Sequence, residues 1–386
     1  MTVRYIRQNL VANQFAPAVR AFGNIAVIGK IAPPAQSPPA DLAAVNTPVD
    51  FTDPAEALRR APGDLGQAIA LALTQSPGPS LVTGVRVSET SPNFQAALDV
   101  VAGLDVQLVV LANTPMTAAN TAVGNPNATP PTSDGPVVAL AKHVVSVSET
   151  GADGRQRIGV AMLPKDSADP SVVSGALSTD RMVYIAHRST QDAAAAVAGT
   201  IAGYEPHVTL LLKQVAITSP SFTQAQIEAI NGSENFGSGP AAKNGVNWLA
   251  SPALIPGNAV YLGEGYTGNP GGITYIDARR YIDGLSFQLN ARLIRSIGNV
   301  RITRAGLRAL IAQIEAILGP QQQADILTSF EVSVPLLALL DRDPATLTAA
   351  EAQRVHDAET QRLVQILVAV NYAGQVHRMS LTVTFN

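Results

Sequence analysis

An alternation constrains this chain more than any other feature. Short apolar runs recur between residues 24 and 186, and each of the first four is followed by a stretch with helical spacing or a long loop leading into one. The runs are NIAVIG (24–29), SLVTGVRV (80–87), VQLVVL (106–111), RIGVAML (157–163) and RMVYIA (181–186). They are too short for buried helices and rich in β-branched residues, and they do not alternate apolar with polar. A strand apolar on both faces must be covered on both, which is the condition of a parallel sheet between helical layers. Helices are predicted at 54–60, 65–74, 93–104, 137–147, 171–177 and 192–204. The outcome is an α/β domain at about 21–215 with a mostly parallel sheet.

Two segments interrupt the alternation. Pro33, Pro34, Pro38 and Pro39 exclude helix or sheet interior from 32–48. The stretch Asn113–Pro136 is of low complexity and predicts a long loop.

Beyond about 216 the pattern becomes α+β, and a second domain is expected over 216–375. A helix is predicted at 221–231 with Phe222 and Ile227 inward, a turn at Asn244-Gly245, a core position for Trp248 and a strand at 258–262. A helix over 275–296 would bury Ile282, Leu285, Leu289 and Leu293. In the next helix Thr303 is placed to cap. Leu307, Leu310, Ile311, Ile314 and Leu318 make one apolar stripe, and Gly319-Pro320 is the expected stop. Strands follow at 330–334 and 363–372, with Thr348 and Glu351 at capping-box spacing before a short helix.

The two ends read as arms, 1–20 and 376–386. Thr2–Ile6 predicts a short strand. From His377 onward Met379, Leu381, Val383 and Phe385 alternate with polar residues, the clearest two-residue period in the chain. A terminal strand leaves an edge that must be satisfied by its own domain or by another chain.

Composition excludes several classes. The 386 residues are enough for two domains with cores of their own. The chain has no cysteine, which excludes disulfides, thiolate metal sites and cysteine nucleophiles. MTVRYIRQNLVANQF has no continuous apolar stretch, so no secretory signal is expected. No apolar run approaches the roughly 20 residues of a membrane span. Only 14% of residues are charged and mean hydropathy is +0.16, which suits a subunit that covers much of its surface with copies of itself.

Candidate chemistry is thin. Gly263-Glu264-Gly265-Tyr266-Thr267-Gly268 matches G-x-G-x-x-G after a strand. A dinucleotide site requires a helix opening at the third glycine, and Asn269-Pro270-Gly271-Gly272 intervenes. A glycine corner that lets backbones pack closely is the better reading. His143, His187, His207, His356 and His377 lack metal-ligand spacing. His187 and Asp166, each just past a strand, are the remaining catalytic candidates. The rival function is therefore an α/β nucleotide-binding enzyme using the Gly263–Gly268 loop and His187. Catalytic, cofactor-binding and metal-binding residues are otherwise expected to be absent.

Charge is blocked along the chain. Between Tyr275 and Leu318 seven arginines (279, 280, 292, 295, 301, 304, 308) face Asp277, Asp283 and Glu315, a balance of +4. From Gly319 to Thr360 seven carboxylates face Arg342 and Arg354, a balance of −5, although the chain as a whole is only −3. Either the basic helix folds back on its acidic neighbour, or these surfaces meet other subunits. The arginines lack interleaved aromatics for base stacking, and nucleic acid is not an expected partner.

The stretch GNAVYLGEGYTGNPGGITYIDARR (257–280) resembles a region of contractile tail sheath proteins, in which a strand ends in a Gly- and Thr-rich loop. After a spacer, an aromatic and a paired Arg-Arg open a long helix. The order of elements to the C-terminus is also similar. The resemblance implies an α/β and α+β architecture with extended terminal arms. It implies a structural, non-enzymatic subunit that polymerises as stacked hexameric rings around an inner tube protein, with baseplate and tail terminator partners. Assembly would take place in the producing cell's cytoplasm, without membrane insertion, as part of a phage tail, tailocin or other contractile particle. Val3, Arg4, Tyr5, Ile6, Met379, Leu381, Val383 and Phe385 would pair with neighbouring copies. Arg304, Arg308, Gln313 and Glu315 would lie toward the tube. A surface-layer or other self-assembling shell protein would share the polymer but not the tube.

Overall fold

Ile25–Gly29 (β1) has no exposed residue but carries the chain's first parallel pairings, which places it inside a sheet rather than at its edge. The computed structural model describes residues 22–32, 39–125, 127–130, 132–150, 154–232, 244–269 and 271–377. The arm residues Val3, Arg4, Tyr5, Ile6, Met379, Leu381, Val383 and Phe385 lie outside these. Among the described residues two compact units result, one spanning 22–284 with 375–377, the other 285–374.

In the first unit, Pro48–Phe51 (β2) leads to helices Pro54–Arg60 (α1) and Asp64–Leu73 (α2). Val82–Arg86 (β3), Phe94–Ala102 (α3), Leu108–Leu111 (β4), Pro136–Glu149 (α4), Ile158–Met162 (β5), Met182–Ala186 (β6) and Ala193–Gly203 (α5) continue the alternation. Then come Gln214–Val215 (β7), Gln224–Asn231 (α6), Val246–Ala250 (β8) and Val260–Leu262 (β9). Among the described residues they form a nine-stranded sheet of order β2-β3-β1-β4-β5-β6-β8-β9-β7. The run from β3 to β8 is parallel, and β2, β9 and β7 add antiparallel pairings at the two ends.

Successive residues of each central strand feed opposite cores. Ile25, Val27, Leu108, Val110, Val183 and Ile185 pack against α1, α2 and α5. Ala26, Ile28, Val109, Leu111, Tyr184 and Ala186 pack against α3 and α4. Helix α5 buries Ala193 through Ala202 without exception. Small side chains allow that, because a helix apolar all round must be enclosed all round. Arg157 is fully buried and ties α3 to β5 by donating to the carbonyls of Val101 (2.9 Å) and Leu104 (3.1 Å).

The second unit takes the end of helix Ile276–Leu293 (α7), whose residues span the division between the units. It continues with Arg304–Gln323 (α8), Leu327–Ser333 (β10), Pro335–Leu340 (α9), Ala349–Gln361 (α10) and Leu367–Tyr372 (β11). Thr303 caps α8 by accepting from Gly306 N–H, and Leu307, Leu310, Ile314 and Leu318 are its buried stripe, with Ile311 half-buried beside it. Among the described residues strands β10 and β11 pair with each other alone, antiparallel, Phe330 opposite Val370. Thr348 and Glu351 form the expected capping box, and α10 is longer than expected.

Four sequence expectations change. Strands β8 and β9 extend the first sheet, so the first unit runs on past residue 215 to 284. Residues 171–177 are turns ending in one 3-10 turn, Gly175–Leu177, with Gly175 at φ +57°. Pro320 lies inside α8, which runs on to Gln323 and ends with Ala324 N–H on the Pro320 carbonyl. A proline this close to a C-terminus removes one backbone hydrogen bond and does not stop the helix at once. Ile282 is 42% exposed, because the buried face of α7 runs through Asp277, Arg280, Tyr281 and Leu285.

Candidate functional site

The Gly263–Gly268 segment is a packed corner. Tyr266 is fully buried and bridges Tyr275 in antiparallel fashion. Asn247, on β8 and fully buried, accepts from Tyr266 N–H (2.6 Å) and donates to the carbonyls of Tyr266 (2.8 Å) and Tyr184 (3.2 Å). Gly268 N–H donates to the Met182 carbonyl at 2.7 Å, and Ile276 N–H donates to that of Gly265 at 2.9 Å. A Cβ on Gly263 would lie 2.3 Å from Trp248 Nε1, and one on Gly268 would lie 2.4 Å from the Tyr184 ring. Gly263 and Gly268 are required by protein atoms, and the amides of Gly263, Tyr266, Thr267 and Gly268 are spent on protein oxygens.

The paired arginines that open α7 have different partners. Arg280 is 6% exposed and donates to the carbonyls of Tyr204 (2.9 Å) and Phe22 (3.3 Å), with Glu205 O at 3.5 Å. Burial lowers its pKa to about 10, partly opposed by Asp277, so it stays charged at neutral pH. Arg279 bonds Asp283 one turn on (2.7 Å) and Asp180 (3.2 Å), and Asp283 also takes Arg181. Sequence reading singled out the arginines but not Asn247, Asp180, Arg181 or Arg157. Asn247, set between Val246 and Trp248, is the one of these with a local signal, an amide inside an apolar run.

Helix α8 brings the four expected tube-facing residues into different settings. Arg308 bonds Asp341 at 3.0 Å, and Arg304 lies 3.8 Å from the same carboxylate while also donating to the Leu340 carbonyl and to that of Arg342 (3.3 Å). Their side chains remain 54% and 64% exposed for Arg304 and Arg308. Gln313 accepts from Ser296 Oγ at 2.9 Å, and Glu315 is exposed. The basic helix thus folds back on part of the acidic block and keeps its arginines accessible.

The enzyme candidates are neighbours, since Asp166 N–H donates to the His187 carbonyl at 3.0 Å, but their side chains serve other groups. Asp166 pairs with Arg188 at 2.9 Å, whereas the buried His187 ring lies 3.1 Å from the Leu163 carbonyl. Burial lowers the His187 pKa, which keeps it neutral. Among the described residues no group of three His, Asp or Glu side chains could hold a metal ion, and no helix is long and apolar enough to cross a membrane.

This fold, a mostly parallel sheet walled by helices with a second, small antiparallel sheet, agrees with that of solved contractile sheath chains. The chain is similar over 100% of its length to a chain of the anti-feeding prophage helical sheath in its contracted state (13% identity, TM-score 0.63, 99% of that chain covered). It is similar, again over 100%, to the PVC sheath complex of an extracellular contractile injection system, also contracted (10% identity, TM-score 0.65, 97% of that chain). The sheath tail protein of Desulfitobacterium hafniense matches 86% of this chain and 93% of its own (10% identity, TM-score 0.56). No protein-family model and no curated protein matches the sequence.

Proposed function

We propose that this chain is the structural subunit of a contractile sheath. Copies polymerise as stacked hexameric rings around an inner tube protein, between a baseplate and a tail terminator. Contraction of the sheath drives the tube through a target envelope. The observation that carries this reading is the end-to-end agreement in fold with sheath chains, covering 97% or more of the anti-feeding prophage and PVC subunits. A chain of the anti-feeding prophage baseplate agrees equally closely, at TM-score 0.61.

The reading needs no covalent chemistry. Work would come from a difference in contacts between two packings of one rigid fold. Among the described residues the two-stranded β10–β11 sheet has an outer edge on each strand, which suits strand addition by Val3–Ile6 and Met379–Phe385 of other copies. The accessible Arg304 and Arg308, with Gln313 and Glu315, would face the tube, where exposed ion pairs of at most about 1 kcal/mol each suit a contact that must release. Assembly would occur in the cytoplasm of the producing cell.

The direct test is expression of the full chain alone and negative-stain microscopy. Hollow cylinders of one diameter are expected, and a small monodisperse particle would overturn the proposal. Deleting 381–386 is expected to leave a soluble, folded monomer, and ordinary cylinders from that truncation would refute the arm assignment.

A further inference from the structure

His377 was expected to begin the terminal strand. The strand itself lies outside the described residues, but Gln375 and His377 both bond to residues of the first unit. Gln375 accepts from Thr209 N–H at 3.0 Å. Val376 between them is 74% exposed. The His377 side chain is 12% exposed. Its Nε2 lies 2.8 Å from Thr209 Oγ1 and its Nδ1 3.3 Å from the Glu264 carboxylate. Its ring meets Tyr275 edge-on, with centroids 4.6 Å apart.

These contacts suit an imidazole better than any other side chain. Nδ1–H can donate to a carboxylate that is itself only 4% exposed. Nε2 can accept from the Thr209 hydroxyl or donate to it, because that oxygen is at once a donor and an acceptor. The ring between the two nitrogens supplies the flat surface against Tyr275. Phenylalanine would keep the ring contact and lose both polar ones. Glutamine would keep a polar contact and lose the ring. Thr209, Glu264 and Tyr275 come from three separated stretches of one unit and converge on this one side chain.

We propose that Thr209, Glu264 and Tyr275 form an anchor site for the imidazole of the chain's own His377, and that the anchor fixes the position of the chain at residue 377, at the root of the C-terminal arm. Tyr275 stands immediately before α7, and Glu264 lies in the corner closed by Asn247. The anchor therefore joins the root of the C-terminal arm to the corner bonded by Asn247. Its value to assembly rests on the sheath reading, in which residues beyond 377 pair with other copies. An arm with a fixed root is presented in one direction, which lowers the entropy lost on pairing.

The test is hydrogen–deuterium exchange on the full-length protein, comparing wild type with His377→Ala, His377→Phe and Glu264→Gln. Amides of β1 in the same data report whether the fold is intact. Exchange in the 375–386 peptides at least tenfold faster in His377→Ala and in Glu264→Gln, with β1 unchanged, is the expected result. His377→Phe is expected to fall between these and wild type. Wild-type exchange in all three variants overturns the anchor, whatever the protein assembles into. Should His377→Ala fail to fold, the Phe and Gln variants decide alone. Faster exchange in the variants supports the anchor even if wild type forms no cylinders, and that second result would count against the sheath reading only.

Discussion

Arg308 bonds Asp341 at 3.0 Å, which joins the helix proposed to face an inner tube to the acidic stretch that follows it in sequence. Both side chains are well exposed, at 64% and 40%. Such a pair contributes at most about 1 kcal/mol, so an acidic partner can take over the arginine at little cost. Arg304→Glu with Arg308→Glu is expected to abolish assembly on the tube while lowering stability by no more than about 2 kcal/mol. Co-assembly with tube protein and a thermal melt measure the two effects. Asp341→Asn, which frees the arginines, should leave tube-templated assembly intact. Normal extended sheath from the double glutamate variant would sink the tube assignment.

The two arginines opening α7 should differ in what they cost. Arg280 is buried and serves the carbonyls of Tyr204 and Phe22. Arg280→Met strands these acceptors and is expected to cost on the order of 3 kcal/mol, since each unsatisfied buried group costs about 1–3. Arg279→Met breaks bonds to Asp180 and Asp283, but Asp283 keeps Arg181, so a loss of roughly half that size is expected. Urea midpoints compare them, and equal losses would contradict this division of roles.

The glycine corner separates the structural reading from the nucleotide-binding rival. Gly268→Ala must push its new methyl into the Tyr184 ring, and Gly263→Ala into Trp248. Each is expected to cost about 1–3 kcal/mol by overpacking. No nucleotide should shift the melting temperature of wild type. A saturable stabilisation by a nucleotide that Gly263→Ala removes would favour the rival.

What the sequence made legible follows from what each part is stabilised by. Strands β1, β3, β4, β5 and β6 were visible because residues covered on both faces must be apolar throughout. Thr303 and the stripe Leu307–Leu318 were visible because capping and 3.6-residue spacing are local rules. Ile282 was misplaced because the buried face of α7 holds two charged residues, Asp277 and Arg280, in positions that periodicity assigns to the surface. The division at 215 failed for a different reason. Strand β8 joins the sheet by pairing with β6, far away in sequence, and brings its neighbour β9 with it; a distant pairing of that kind leaves no local trace. The Arg308–Asp341 contact was foreseen as a pairing of blocks but not of residues, since side-chain geometry decides it.

Stability should fall on mild acidification through His143. Its pKa is lowered from 6.5 to about 4, first by burial and then by the charge of Arg157. The unfolded chain takes up a proton below about pH 6.5 that the folded chain refuses until near pH 4. The neutral ring therefore contributes stability that is complete above the unfolded value and lost as pH falls through this window. The two values set an upper bound of about 3 kcal/mol. His143→Gln is expected to flatten the dependence of unfolding free energy on pH between 4 and 6.5, and an unchanged slope would contradict the assignment.

The most direct measurement of the central claim is negative-stain electron microscopy of the full chain expressed alone. The account requires hollow cylinders of uniform diameter, with walls built of repeating subunits. A small, monodisperse particle under the same conditions would contradict it.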